Sequence, residues 1–445
     1  MIERNDILTA ELCLSLAARH GAQSCRVTLS KSRSDNFATL NGEIDSVSRS
    51  SDRSVTLALF VDGRYACFST NQLGESALDE FIRQAVKLTA SLAADACRSL
   101  PAPERCCKSA VTGDELELCD ENYQSISEKD KRKEALEAAI FGKVDPPSEG
   151  YEIISEEGEY SDSMSETLLM DSAGLRCVRR ETSFDYYAEV SIMDKDGRKY
   201  SAYSWDSSTR KSGLTPKSVG LKALDKTVKS IGSKAAPGGN YTMIAGNEIS
   251  GRLLTPLLNA LGGYALQQGD SFLADSLDKS IFGESLTIID NPHIKGEGGS
   301  RLFDSEGVAT VKAPVIEKGV VKKYFLNSYT AAKMGLQPTI EDCSRAEVLP
   351  YGEMDDSEAM MKAYGEGILV TGFVGGNCNS TTGDFSYGVE GFLFRDGQIV
   401  QPVSGMLITG NMIELWKNLL AAGKDARRCA VKLVPSLAFA NVSFN

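Results

Sequence analysis

Residues 365–416 read GEGILVTGFVGGNCNSTTGDFSYGVEGFLFRDGQIVQPVSGMLITGNMIELW. Apolar runs alternate here with Gly, Asn, Ser and Thr, and Asp396-Gly397 has the form of a two-residue hairpin turn. Glycine weakens an ordinary strand. Its density therefore predicts positions where another backbone approaches closely or where φ is positive. The block reads as a binding surface built on a sheet. The competing interpretation is structural: Gly-Gly-Asn and Thr-Gly-Asp are turns, and Phe373, Phe385, Tyr387, Phe392 and Phe394 pack inward.

Working outward, Lys318-Gly319 is another turn signal, and SKAAPGGN (Ser233 to Asn240) is the clearest linker. It predicts two domains, 1–235 and 236–445, with a further break near 100–110 at SLPAPERCC. In the first half, Asp6 is the expected N-cap of a helix stopped by Gly21. Asn41-Gly42 and Asp62-Gly63 join strands. A second helix carries Leu78, Phe81, Ile82, Val86 and Leu92. Ser127 to Asp130 has capping-box character, VDPPSEG ends that helical region, and strands flank Asp196-Gly197. Thr215-Pro216 then opens a helix with Val219, Leu221, Leu224, Val228 and Ile231 on its apolar face. Hairpins dominate and βαβ alternation is absent. The predicted class is α+β: helix, antiparallel meander, helix, followed by a β-rich C-terminal domain, sandwich or barrel-like.

A chain of 445 residues with 42% hydrophobic and 24% charged residues is long enough for a large core. No run approaches the ~18 apolar residues of a membrane span. MIERNDILTAEL has acids where a signal peptide has basic residues, so the expected location is the cytoplasm. Eleven cysteines without CxxC spacing read as reduced thiols. A net charge of −13 argues against direct nucleic-acid binding. The two histidines, His20 and His293, lack ligand-like spacing, which argues against a His-rich metal site or a Ser–His–Asp triad. Cys378 and Ser386 have no histidine nearby, and GEGGSR lacks the Lys-Ser/Thr of a phosphate loop.

TMIAGNEISGRLLTPLLNALGG, after the linker, predicts a helix with Glu248 in its first turn and Ile249, Leu253, Leu257, Leu258 and Leu261 on its apolar face. Pro256 is expected to kink or restart it.

Four segments in order, LNGEIDSVSRSSDRSVTLALFVDGR, MDSAGL, GEGGSRLFDSEGVAT and GGNCNSTTGDFSYGVEGFLFRDGQI, give the chain a resemblance to the TldD/PmbA family, described as candidate modulators of DNA gyrase. Within it, the chain looks like the PmbA (TldE) branch. The catalytic TldD branch resembles a metallopeptidase with an HExxxH motif, in which two imidazoles hold zinc and the glutamate activates water. The matching window here is Asn247 to Arg252. Asn247 and Arg252 stand at the two ligand positions and Glu248 remains. Asn is a poor zinc ligand and Arg repels a cation. The family's third ligand is a C-terminal cysteine, with which Cys429 does not clearly register.

The resemblance implies a subunit with no catalytic residues, metal or cofactor of its own, pairing with a zinc-bearing TldD-type partner in a cytosolic protease for extended peptides. A homodimer of the isolated chain is an alternative assembly. In that role the glycine block holds peptide by strand addition. Gly375, Gly376 and Gly383 would permit close approach, and Asn377, Asn379 and Thr382 would bond to peptide groups. Two other functions stay open: a metallopeptidase using Glu248, Asp304, Glu306 or Cys429 as substitute ligands, and a regulatory binder linked to DNA gyrase.

Overall fold

The computed structural model describes residues 2–143 and 150–445, so VDPPSEG lies almost wholly outside the described residues. The first half comprises α1 (Arg4–Arg19), β1 (Ser24–Leu40), β2 (Glu43–Val61), β3 (Arg64–Thr70), α2 (Glu75–Ala90), α3 (Glu128–Ala138), β4 (Tyr151–Asp171), β5 (Arg176–Asp194), β6 (Lys199–Ser208) and α4 (Pro216–Lys229). Its six strands form one sheet in the order β3-β2-β1-β4-β5-β6. The expected meander and the strands that flank Asp196-Gly197 are therefore parts of one surface, joined where β1 pairs β4 from Arg26↔Asp171 to Leu40↔Glu157. The sheet is continuous across the break expected near 100–110.

Both residues of the Asn41-Gly42 and Asp62-Gly63 turns have positive φ (49° and 80°, 48° and 72°), as a type I′ hairpin requires. α1 begins earlier than expected. Glu3 is its cap, and Asp6 accepts from Glu3 N at 2.7 Å in a reciprocal capping box while also binding Lys31 and Arg53. Leu92 lies beyond the end of α2 and Leu221 faces outward on α4.

Alternation along β1 buries Cys25, Val27 and Leu29 under α1 and α2, and Phe37 under α3 and α4. These are two separate apolar clusters beneath one sheet. Asp35 occupies the same buried face between Leu29 and Phe37. Lys131 of α3 donates to Asp35 Oδ2 and to Asp162 Oδ1, each at 2.6 Å, with all three side chains buried.

The second half comprises β7 (Gly239–Ala245), α5 (Gly251–Ala260), α6 (Gly263–Gln268), β8 (Ile288–Asp290), β9 (Ala313–Glu317), β10 (Val320–Val321), α7 (Ser328–Met334), β11 (Ala346–Val348), α8 (Ser357–Tyr364), β12 (Gly367–Cys378), β13 (Asp384–Arg395), β14 (Gln398–Asn411), α9 (Met412–Lys417), β15 (Leu419–Ala422) and β16 (Leu437–Phe444). The order β14-β13-β12-β7-β16-β15, with β14 also paired to β16 through Ile408↔Phe444, closes a barrel. The α+β class holds, and of the two β architectures expected the barrel is the one formed. β8 to β11 make a small separate sheet. Phe385, Tyr387, Val389, Ile408, Trp416 and Phe439 share the largest core, whereas Phe394 is buried in a separate cluster with Met360 and Met361 of α8. Leu393 stays with the largest core, so Phe392 and Phe394 reach the other cluster by the ordinary alternation of the strand. Phe373 and Phe392 are only partly buried. No helix among the described residues is long and apolar enough to cross a membrane.

The glycine block serves the barrel's own backbone. A Cβ on Gly391 would lie 1.9 Å from Leu369 O, one on Gly388 2.2 Å from Val374 O, and one on Gly376 2.1 Å from Ser386 O. These contacts are far inside van der Waals distance, so the strands require hydrogen there. Gly391→Ala is expected to destabilise the chain by about 1–3 kcal/mol through overpacking. Chemical denaturation reads this, and an unchanged midpoint would show that the barrel yields instead.

Candidate functional site

The window from Asn247 to Arg252 joins β7 to α5. Its first four residues form a turn in which Ile249 N and Ser250 N both donate to Gly246 O at 3.0 Å. The helix starts at Gly251, so Glu248 precedes it rather than lying in its first turn, and α5 runs through Pro256 without interruption. The barrel sets this difference: Gly246 N is still bonded to Val370 O of β12, which keeps the chain extended until the turn begins.

Each polar side chain of the window has a partner. Asn247 Nδ2 donates to Asp425 O at 2.7 Å. Glu248 is held by Lys226 of α4 at one carboxylate oxygen and by Arg427 at 3.5 Å from the other. These two cations also bind the edge of β6, Lys226 donating to Tyr203 O at 3.1 Å and Arg427 to Trp205 O at 2.6 Å. The Arg427 guanidinium lies 4.4 Å from the centre of the Trp205 ring. Glu248 thus joins the barrel half to the first sheet. At the other end, Arg252 donates to Phe373 O at 3.0 Å and Gly375 O at 2.8 Å on β12, and stacks near Phe373 and Tyr387.

This donor set does not fit zinc: an engaged amide, a carboxylate between two cations and a guanidinium that cannot deprotonate. The substitute ligands are dispersed into other tasks. Asp304 accepts from Glu306 N at 3.0 Å and Val308 N at 2.9 Å, and burial, with Glu341 nearby, raises its carboxyl to about 6. Glu306 Oε2 accepts from Ser328 N and Oγ at the start of α7, both at 2.8 Å. Burial pushes the Cys429 thiol up. Among the described residues no three His, Cys, Asp or Glu side chains converge as a metal would need. His20 bonds to Asp79 and His293 to Thr310.

The β12–β13 hairpin presents the six expected peptide contacts unequally. Asn379 Oδ1 accepts from Thr381 N and Thr382 N, and Thr382 Oγ1 donates to Asp384, so these two side chains build the turn. Gly383 is buried against Phe272. Gly375 and Asn377 face outward, with Gly375 in open space at φ 67°.

A feature the sequence reading missed lies on the other side of Arg427. A cleft of about 560 Å³ opens between the first sheet and two loops, with Ser163, Glu181, Ser207, Gly298, Arg428 and Cys429 among its walls. GEGGSR supplies one loop and DARRCAVKLVP the other. The fully buried Arg345 ties them together: it donates to Gly298 O and Ala430 O, to Arg428 O at 3.3 Å and to Glu297 Oε2 at 2.5 Å. The glycines of GEGGSR were visible in the sequence. Their pairing with the distant arginines was not.

Family models match along most of the chain: PmbA/TldA metallopeptidase domain 1 over residues 25–89, the central domain over 120–231 and the C-terminal domain over 238–445. A Bacteroides thetaiotaomicron structure described as a candidate modulator of DNA gyrase superposes with a TM-score of 0.94 at 36% identity, covering 100% of both chains. The chain belongs to the PmbA/TldD family. Metalloprotease PmbA of Escherichia coli O157:H7 is 26% identical over 441 residues, covering 94% of this chain and 92% of that one. TldE from Thermococcus kodakarensis has the same fold, with a TM-score of 0.82 at 20% identity over 98% of this chain and 99% of that one. Relatives of this PmbA/TldD chain are named metalloproteases, which places it in a peptidase family.

Proposed function

We propose that the chain is the non-catalytic, PmbA/TldE-type subunit of a zinc peptidase acting on extended peptides, and that a TldD-type subunit supplies the metal. The observation that carries this reading is the clasp on Glu248. A glutamate that must polarise metal-bound water needs a free carboxylate beside a cation of charge two. Here it neutralises Lys226 and Arg427, while Arg252 fills the position a ligand would need. The names TldE and TldD among its relatives suit the partnership. The β12–β13 hairpin fits a place on the peptide's path, with Gly375 and Asn377 turned outward and Gly376, Asn379, Thr382 and Gly383 fixing its shape.

Co-expression with a TldD homologue of the same organism tests this. The isolated chain is expected to hold substoichiometric zinc and to cleave no peptide. The complex is expected to carry zinc that is lost on changing the partner's histidines. One zinc per isolated chain, released by Glu248→Ala, would overturn the reading.

A further inference from the structure

We propose that the cleft beside Arg427 is a binding site for extended polypeptide, recognised through its main chain. This rests on the peptide role just described and adds a site that the Asn247–Arg252 window and the β12–β13 hairpin do not contain. One wall is the face of the first sheet opposite its helices. Register places Ser50, Ser34, Ser163 and Ser183 side by side across β2, β1, β4 and β5. Along the strands the next row holds Ser32, Ser165 and Glu181. Ser34 and Ser50 bond to each other at 2.8 Å in the first row, and Ser165 donates to Glu181 at 3.4 Å in the second, which Asp52 continues beside Ser32. Ser163, Glu181 and Ser183 continue that face into the cleft, where Ser207 of β6 joins them.

Same-face positions on a strand recur about every 6.8 Å, and so do the equivalent carbonyls and amides of an extended peptide. Hydroxyls both donate and accept, so such a surface satisfies main-chain groups of either kind without selecting side chains. The opposite wall contributes backbone at Gly298, where a Cβ would meet nothing within 4 Å. That leaves room for a chain to lie against it.

Charge supports the same ligand. The three acids lining the cleft each have an arginine: Glu181 with Arg179 at 2.5 Å, Asp206 with Arg427 at 3.9 Å and Glu297 with Arg428 at 2.9 Å. The site is polar but nearly balanced, which suits an uncharged main chain. Nucleic acid needs a surplus of cations and rings for base stacking, and among the described residues no aromatic side chain lines the cleft. A volume of about 560 Å³ is within the range of ligand sites.

The test uses the intact chain and a fluorescein-labelled uncharged peptide of Ala, Ser, Thr and Asn, followed by anisotropy, with a labelled oligosaccharide as a second probe. Saturable peptide binding is expected. Gly298→Trp, which fills the cleft from a position free of backbone strain, is expected to weaken it at least about tenfold, with the melting temperature unchanged. Leu88→Trp, at an exposed position of α2 on the helix side of the sheet, is expected to leave it intact. Should Gly298→Trp lose its cooperative melt, Ser207→Trp fills the cleft from the other wall. No saturable peptide binding, binding of the oligosaccharide alone, or unchanged affinity in the cleft-filled variant would overturn the proposal. A co-expressed complex that forms and cleaves while the cleft binds nothing overturns this inference alone. Peptide binding by a chain that never pairs with a TldD homologue overturns the subunit reading alone.

Discussion

Lys131→Met is expected to lower the stability of the chain by roughly 3–5 kcal/mol, because it removes the cation from two carboxylates that stay buried. Asp35 and Asp162 are within 2.6 Å of the ammonium. Burial pushes the Asp35 carboxyl up, and hydrogen bonds from Arg49 and Lys131 outweigh that and hold it below its ordinary value. In the intact protein this contribution is present above the unfolded carboxylate pKa of about 3.9 and is lost as pH falls. Removing Lys131 takes away one of the two hydrogen bonds that hold Asp35 low while Arg49 stays, so the deficit is full at neutrality and shrinks as pH falls through about 4 and the carboxyl protonates. Urea denaturation at about pH 7 and about pH 3 measures both. Equal losses at the two values would show that the effect is one of packing. Adding Asp162→Leu to the variant is expected to recover part of the loss, since an apolar replacement is tolerated better than an orphaned charge.

Arg345→Ala is expected to be as severe, about 3–5 kcal/mol, and more local in its consequences. It removes the partners of three carbonyls and leaves Glu297, which is largely buried, with Arg428 alone. Both loops of the cleft depend on that guanidinium. Limited trypsin digestion of the variant is expected to cut first after Arg427 or Arg428, at a rate well above that of the parent chain. Arg345→Lys is not expected to rescue it, because an ammonium cannot reproduce a fork that serves carbonyls on two sides. A variant with parental stability and parental digestion would show that the loops are held by other contacts.

What could be read from the sequence followed how local each determinant is. Asn41-Gly42, Asp62-Gly63, Lys318-Gly319 and Asp396-Gly397 all fold with positive φ at both residues, since a two-residue turn is specified by those residues themselves. The Ser127–Asp130 capping box likewise lies within one helical turn. Pairing between distant strands has no such signature. Nothing in β14 announces that Ile408 will meet Phe444, and nothing near Arg26 announces Asp171. The same holds for the site. Asn247, Glu248 and Arg252 stand out against a family motif, but their occupants (Asp425, Lys226, Arg427 and the carbonyls of β12) come from elsewhere in the chain. Glycine density did predict close backbone approach. It could not say that at Gly388 and Gly391 the approaching backbone would be the chain's own.

The long pairing of β1 with β4 also has a consequence in time. β1 is an interior strand whose second neighbour begins at Tyr151 and ends at Asp171, well over a hundred residues later. At roughly 5–20 residues per second, a ribosome needs on the order of ten to thirty seconds to deliver that neighbour. Until then the β1–β2–β3 meander presents a raw edge 17 residues long, of the kind that invites pairing with another nascent chain. That edge carries Lys31, Arg33 and Asp35 along its middle, and charges there discourage such pairing. The ions that later form the seam between the two cores thus also guard the strand while it waits.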